Sequence, residues 1–218
     1  MIFPVRPTTA RSGMARSDTA PPPLVLASKS AARQTMLANA GLEFLAAPAD
    51  FDEAPLKRQY LDAGHSGSAL AAALAEAKAR AAIEMNPDAI IIGADQVLAC
   101  EGQVFDKAAD MTAAKDILRR LAGRCHELHV AVCVLGPDGV PWRHESVARL
   151  WMRPLCDDFI ARYLDRAGRE VLWSVGCYQI EGRGAQLFER IEGDHFTIQG
   201  LPLLPLLGYL RETGLLPG

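Results

Sequence analysis

Ala89-Ile90-Ile91-Ile92-Gly93-Ala94-Asp95-Gln96 is the stretch on which the fold turns. Its apolar run shows no alternation, so both faces of the strand it forms must be covered. The run predicts a strand over Ala89–Gly93, with Asp95-Gln96 just beyond it. A carboxylate at the end of a buried central strand lies where α/β proteins place their ligands, although an Asp there also serves as a simple turn former.

Working outward, Val97–Cys100 and Gln103-Val104 flank Glu101-Gly102 as a hairpin. Upstream, Ser68–Met85 is rich in Ala, Leu, Glu and Lys and predicts a long helix ended by Asn86-Pro87-Asp88. The polar, Pro-, Gly- and His-containing stretch from Phe51 to Gly67 reads as loop. Before it, Leu24–Ala27 reads as a strand, Ala31–Ala40 as a helix stopped by Gly41, and Glu43–Ala46 as a second strand. Downstream, Thr112–Leu121 and Asp157–Asp165 read as helices. Glu127–Leu135 and Val140–Met152 read as antiparallel strands joined at Gly136-Pro137-Asp138-Gly139. Ala185–Ile191 and His195–Ile198 are expected to pair across Gly193-Asp194, and Leu203–Thr213 closes the chain as a helix. The class is α/β with a largely antiparallel portion rather than a regular βαβ series.

The chain has 218 residues, half of them apolar, 22% charged, with a net charge of -3. That balance gives no reason to expect nucleic acid or a membrane surface as a partner, and any phosphate site needs locally placed cations. Cys100, Cys125, Cys133, Cys156 and Cys177 are scattered and never form a C-x-x-C pair, which favours a reducing cytoplasm. Residues 1–23 carry Arg6, Arg11 and Arg16, prolines and one acid, Asp18. They read as a disordered extension; an organelle transit peptide is the competing reading, weakened by Pro4 and Pro7. Residues 24–218 are expected to form one domain.

Three segments carry candidate chemistry. Ser28-Lys29-Ser30-Ala31-Ala32-Arg33 runs from strand to helix, with free backbone N–H groups, two hydroxyls and two cations that suit a phosphate; a capped helix with solvated charges fits as well. Asp95-Gln96 is the second. Glu181-Gly182-Arg183-Gly184 is the third, where the glycines either let a backbone approach a ligand or simply make turns. Asp52-Glu53, Lys78 and Lys107 accompany these segments. Cys125-His126-Glu127-Leu128-His129 invites a zinc reading, but its two histidines are three apart on a strand and face opposite sides, so packing or surface roles are preferred.

Taken in order, LASKSAARQTML from Leu26, Asp52-Glu53, Lys78, IIGADQVL from Ile91, Lys107, LAGRCHE from Leu121, GCYQIEGRGAQLFERIEGD from Gly176 and GLPL from Gly200 resemble the Maf family of nucleoside triphosphate pyrophosphatases. The resemblance implies an elongated mixed-sheet α/β fold with two lobes around a central cleft, similar to the inosine triphosphate pyrophosphatases. It implies release of nucleoside monophosphate and pyrophosphate with a divalent cation, Mg²⁺ or Mn²⁺, and a family link to septum formation. By position, Asp95 matches the catalytic proton acceptor. Ser28, Arg33, Lys78 and Lys107 match phosphate contacts, Glu53 and Asp95 the metal-associated acids, and Ala32, Gln96 and Glu181 the base-choice positions. Gln96 and Glu181 follow the subfamily acting on 7-methylguanosine triphosphate; Ala32 follows neither that subfamily nor the one acting on thymidine and uridine triphosphates. The expected partner is the nucleotide, with a homodimer as the assembly considered. The alternatives are a thymidine/uridine triphosphate pyrophosphatase and a nucleotide-binding regulator of septation with little catalysis.

Overall fold

The computed structural model describes residues 22–48 and 50–217. The N-terminal extension, up to residue 21, lies outside them. The elements are β1 (Leu24–Leu26), α1 (Ala31–Asn39), β2 (Leu45–Ala46), α2 (Glu53–Asp62), α3 (Gly67–Met85), β3 (Ile90–Cys100), β4 (Gln103–Phe105), α4 (Met111–Leu121), β5 (Cys125–Leu135), β6 (Pro141–Met152), α5 (Asp157–Ala167), β7 (Phe188–Glu192), α6 (His195–Ile198) and α7 (Leu203–Glu212). Two 3-10 turns, Gly168–Trp173 and Arg183–Leu187, lie between α5 and β7.

One mixed sheet runs in the order β2-β1-β3-β5-β6-β7, with β4 added to β3. β1 is parallel to both its neighbours, and every other pairing is antiparallel. The predicted mixture of α/β with an antiparallel portion is what forms.

β3 explains the shape. One of its edges pairs with β5 from Ile91 to Ala99. The other edge pairs with β1 at Ile90–Ile92 and with β4 at Leu98–Cys100. Among the described residues no strand covers that second edge from Gly93 to Val97, so the sheet has a slot at its centre. The predicted hairpin turn is present: Glu101 and Gly102 both take positive φ (50° and 77°), the backbone signature of a two-residue hairpin loop.

Alternation along the strands divides the core. On one face Ile91 and Val97 of β3 and Ala131 and Cys133 of β5 pack under α3. The other face carries two clusters. Ile92, Ala94, Val132 and Val134 meet α1 and α7, while Leu98, Cys100, Leu128 and Val130 meet α4 and α5. The seam between these clusters crosses β3 at Gln96, whose Nε2 donates to the carbonyl of Ile198 (3.0 Å) in α6. Among the described residues no helix is long and apolar enough to cross a membrane.

The structure corrects three readings. Phe51–Gly67 is not loop: Asp52 caps α2 by accepting from Ala54 N (3.0 Å), and Leu56 and Tyr60 pack on the α3 cluster. Asp95-Gln96 lie inside β3, which continues to Cys100, because β5 pairs with it from Ile91 to Ala99 and β4 from Leu98 to Cys100. His195–Ile198 does not pair with the preceding strand. Asp194 accepts from both Phe196 N and Thr197 N and winds these residues into α6, and β7 pairs with β6 instead.

Candidate functional site

The slot beside β3 opens into a cleft of about 990 Å³. Its first wall begins where β1 gives way to α1. Ser30 caps α1 by accepting from Arg33 N (3.4 Å), which turns the Ser28–Arg33 loop over the cleft. Arg33 is buried. Its Nε donates to the carbonyl of Gly200 (2.7 Å) and its Nη1 to Ser28 Oγ (3.2 Å). Burial pulls its pKa below the ordinary value, opposed by the charges of Asp95 and Glu53. A planar cation held this way has lost little freedom still to give up on meeting a phosphate.

Asp95 points to the α3 face of β3. α3 lies close there because Gly93 has no side chain: a Cβ at Gly93 would meet the Ala75 carbonyl oxygen at 2.2 Å and Ala79 N at 2.9 Å. Lys78, one residue before Ala79, is thereby brought over the strand. Its ammonium bonds Asp95 Oδ1 and also Glu53 Oε1 (2.8 Å) at the start of α2. A buried carboxylate needs such a partner, and breaking the pair would leave Asp95 charged and unsatisfied. Lys107 follows β4 and completes the group. Its pKa is lowered, first by desolvation and then by the charges of Arg33 and Lys78. Neighbouring Asp106 is held by Lys57, a cleft residue with no distinguishing sequence pattern.

The second wall is the segment Trp173–Glu181. Ala32, Gln96 and Glu181, the three candidate base-choice positions, all line the cleft. Gln96 has its amide N–H committed to α6, which leaves its carbonyl oxygen as the group still open to a ligand. The wall itself is firmly built. Tyr163 Oη of α5 donates to the Cys177 carbonyl (3.1 Å), and Cys177 is held at φ 57°, unusual for a residue with a side chain. Beneath it His126 Nε2 and Tyr178 Oη share a buried hydrogen bond of 2.7 Å. Burial pushes the His126 pKa down to about 4 and drives that of the Tyr178 phenol upward.

A Cβ at Gly184 would come within 2.5 Å of the Gln179 carbonyl oxygen, so this glycine lets the turn after Glu181 fold back on the wall. The two histidines of the Cys125–His129 segment do face opposite sides, His126 toward Tyr178 and His129 toward Ser68 Oγ (3.2 Å) of α3. Among the described residues no group of three or more His, Cys, Asp or Glu is placed to hold a metal ion. Glu53 and Asp95 nonetheless converge on a single cation, the Lys78 ammonium. Two hard carboxylates are the oxygen donors that would hold a Mg²⁺ or Mn²⁺.

The chain is similar to known proteins along most of its length. A 7-methyl-GTP pyrophosphatase from Rhizobium meliloti (strain 1021) is 50% identical over 193 residues, covering 88% of this chain and 97% of that protein. A protein named 7-methyl-GTP pyrophosphatase from Brucella suis biovar 1 (strain 1330) is 50% identical over 196 residues, covering 89% of this chain and 98% of that protein. A nucleoside triphosphate pyrophosphatase from Rhodopseudomonas palustris (strain ATCC BAA-98 / CGA009) is 51% identical over 197 residues, 90% of this chain and 96% of its own length. The profile of the Maf-like protein family matches residues 23–213, which include both walls of the cleft and every strand that frames it. The chain therefore belongs to the Maf-like protein family.

Proposed function

We propose that the chain hydrolyses a nucleoside triphosphate between its α and β phosphates, releasing nucleoside monophosphate and pyrophosphate, with a modified purine such as 7-methyl-GTP preferred. The observation that carries this reading is the meeting of Arg33, Lys78 and Lys107 with Glu53 and Asp95 in one cleft. The names borne by relatives half identical to the chain support it.

In the reaction a water oxygen attacks the α-phosphorus, and the bond to the oxygen bridging to the β-phosphorus breaks. The water loses a proton, and the leaving pyrophosphate carries away the bonding electrons. Negative charge grows on both sides of the breaking bond, so cations must already be in place. Arg33 presents its remaining guanidinium N–H groups to phosphate oxygens, and Lys107 adds a point charge. Lys78 is shared by Glu53 and Asp95. Passing from these acids to a phosphate oxygen, it frees Asp95 to orient the attacking water and accept its proton. Glu53 and Asp95 would hold the divalent cation, which when bound neutralises phosphate charge and lowers the pKa of water.

The role fits nucleotide-pool housekeeping in a reducing cytoplasm, in keeping with five free thiols. A panel of canonical and modified triphosphates with product identification tests the reading. Pyrophosphate with highest kcat/KM for 7-methyl-GTP is the expected result. Orthophosphate, or no product from any triphosphate, refutes it, and faster turnover of thymidine or uridine triphosphate refutes the purine preference.

A further inference from the structure

Trp173 ends the 3-10 turn Gly168–Trp173, and its surroundings are unequal on its two sides. Val171, two residues earlier, is buried in the cluster under α4 and α5, and Leu172 packs against that cluster. Trp173 itself is 65% exposed at the cleft. Burying a large apolar side chain is favourable, so an indole left in water forgoes that gain in the unliganded protein. The other two tryptophans are covered. Trp142 stacks on Tyr209 with ring centroids 4.5 Å apart, and Trp151 lies under the Arg190 guanidinium at 4.5 Å. Among the described residues Trp173 has no aromatic or cationic partner.

Its position is not that of a loose surface ring. Ser174 N donates to the Val171 carbonyl (3.3 Å) and Cys177 N to the Ser174 carbonyl (3.2 Å). The wall carrying Trp173 is thus fixed at its base. Glu181, also exposed, is on the same wall, and Ala32 offers only a methyl group to the cleft. A flat apolar ring and a carboxylate without a charged partner among the described residues, on one wall, match a flat ligand bearing N–H donors and positive charge.

Building on the proposed hydrolysis of a nucleotide, we propose that Trp173 is the platform on which the nucleobase stacks, and that with Glu181 it favours an electron-poor, N7-alkylated purine over a pyrimidine. A larger ring overlaps the indole more fully, and a positively charged one is drawn to its π-face.

The test is binding of non-hydrolysable α,β-methylene analogues of 7-methyl-GTP and thymidine triphosphate, with inorganic tripolyphosphate as the base-free probe, followed by calorimetry and tryptophan fluorescence. Trp173→Ala is expected to weaken the methylpurine analogue ~10-fold, the thymidine analogue less than ~3-fold and tripolyphosphate not at all. Trp173→Phe should restore the methylpurine affinity to within ~3-fold and abolish the ligand-induced fluorescence change. Equal weakening of tripolyphosphate, or unchanged affinity for every probe, overturns the proposal. So does a change in oligomeric state with affinities intact, which would assign the indole to contact between copies. If the unaltered protein binds the analogues through Trp173 but cleaves no triphosphate, stacking stands and the hydrolytic reading falls. If it binds no nucleotide analogue, both fall.

Discussion

Arg33, Lys78, Glu53 and Asp95 hold one another or the backbone at one end of the cleft. Along the other wall Trp173 and Glu181 are exposed, and neither has a charged or aromatic partner among the described residues. The first end has its charges placed before substrate arrives; in the proposed reaction only the Lys78 ammonium changes partners, so little else is left to reorganise when charge develops on the phosphate oxygens. The second has a fixed backbone and free side chains, which suits the choice among bases. A triphosphate is the same on every nucleotide, and a base is not.

The sharpest way to break this contrast is Asp95→Asn. The substitution keeps the shape and removes both the charge held by Lys78 and the proposed proton acceptor, so kcat should fall at least ~100-fold with the fold intact. A folded variant with near-normal turnover would remove Asp95 from the chemistry and the preformed end with it.

Next in size is Gly93→Ala. The new methyl would collide with the Ala75 carbonyl and Ala79 of α3, so chemical denaturation should report a loss of about 2 kcal/mol. Lys78 should move with the helix, and kcat/KM should fall along with stability. An unchanged denaturation midpoint would show that α3 yields freely and that the close approach does not set the ion pair.

The opposite wall predicts a pH effect. His126 has its pKa lowered by burial to about 4, below the ordinary value of 6.5. Between those values the unfolded chain binds a proton that the folded chain refuses. Stability is therefore complete above pH 6.5 and is lost as pH falls toward 4, by about 3 kcal/mol. His126→Gln should flatten that part of a thermal-midpoint profile. A profile unaltered by the substitution would mean that the wall is not anchored through His126.

The smallest expected effect is Glu181→Gln. It should narrow the preference for 7-methyl-GTP over thymidine triphosphate by ~3-fold, read as a ratio of kcat/KM values, while leaving kcat on a preferred substrate near normal. A widened preference would reverse the role of this carboxylate.

Much of the fold is legible because its signals are local. The Ile90–Ile92 run, the Glu101-Gly102 hairpin and the Ala-rich α3 each announce themselves within a few residues. α2 does not. None of its residues is buried, and Pro55, Gly64 and His65 give its neighbourhood a loop's composition, so only the Asp52 cap and the packing of Leu56 and Tyr60 reveal it. α6 is too short for periodicity, and its capping Asp194 is also what a hairpin turn would contain. The charged site residues are legible as separate segments in an ordered pattern. Their convergence is not, because it depends on Gly93 admitting α3 and on Gly200 presenting its carbonyl to Arg33. Trp173 carries no sequence signal at all, since an indole in an apolar stretch is ordinarily core.

The uncovered edge of β3 has a kinetic consequence. It is bounded by β1 on one side and β4 on the other, strands far apart in the chain that reach β3 by different routes. The cleft is the interval between two independent pairings, so it has no width until both exist. A partly folded chain with the β3–β4 hairpin in place, a local and rapid event, still lacks the non-local parallel pairing with β1, which closes a long loop and forms more slowly. Ligand binding competence should therefore be among the last properties acquired during refolding, and a nucleotide can act only on molecules that have already finished.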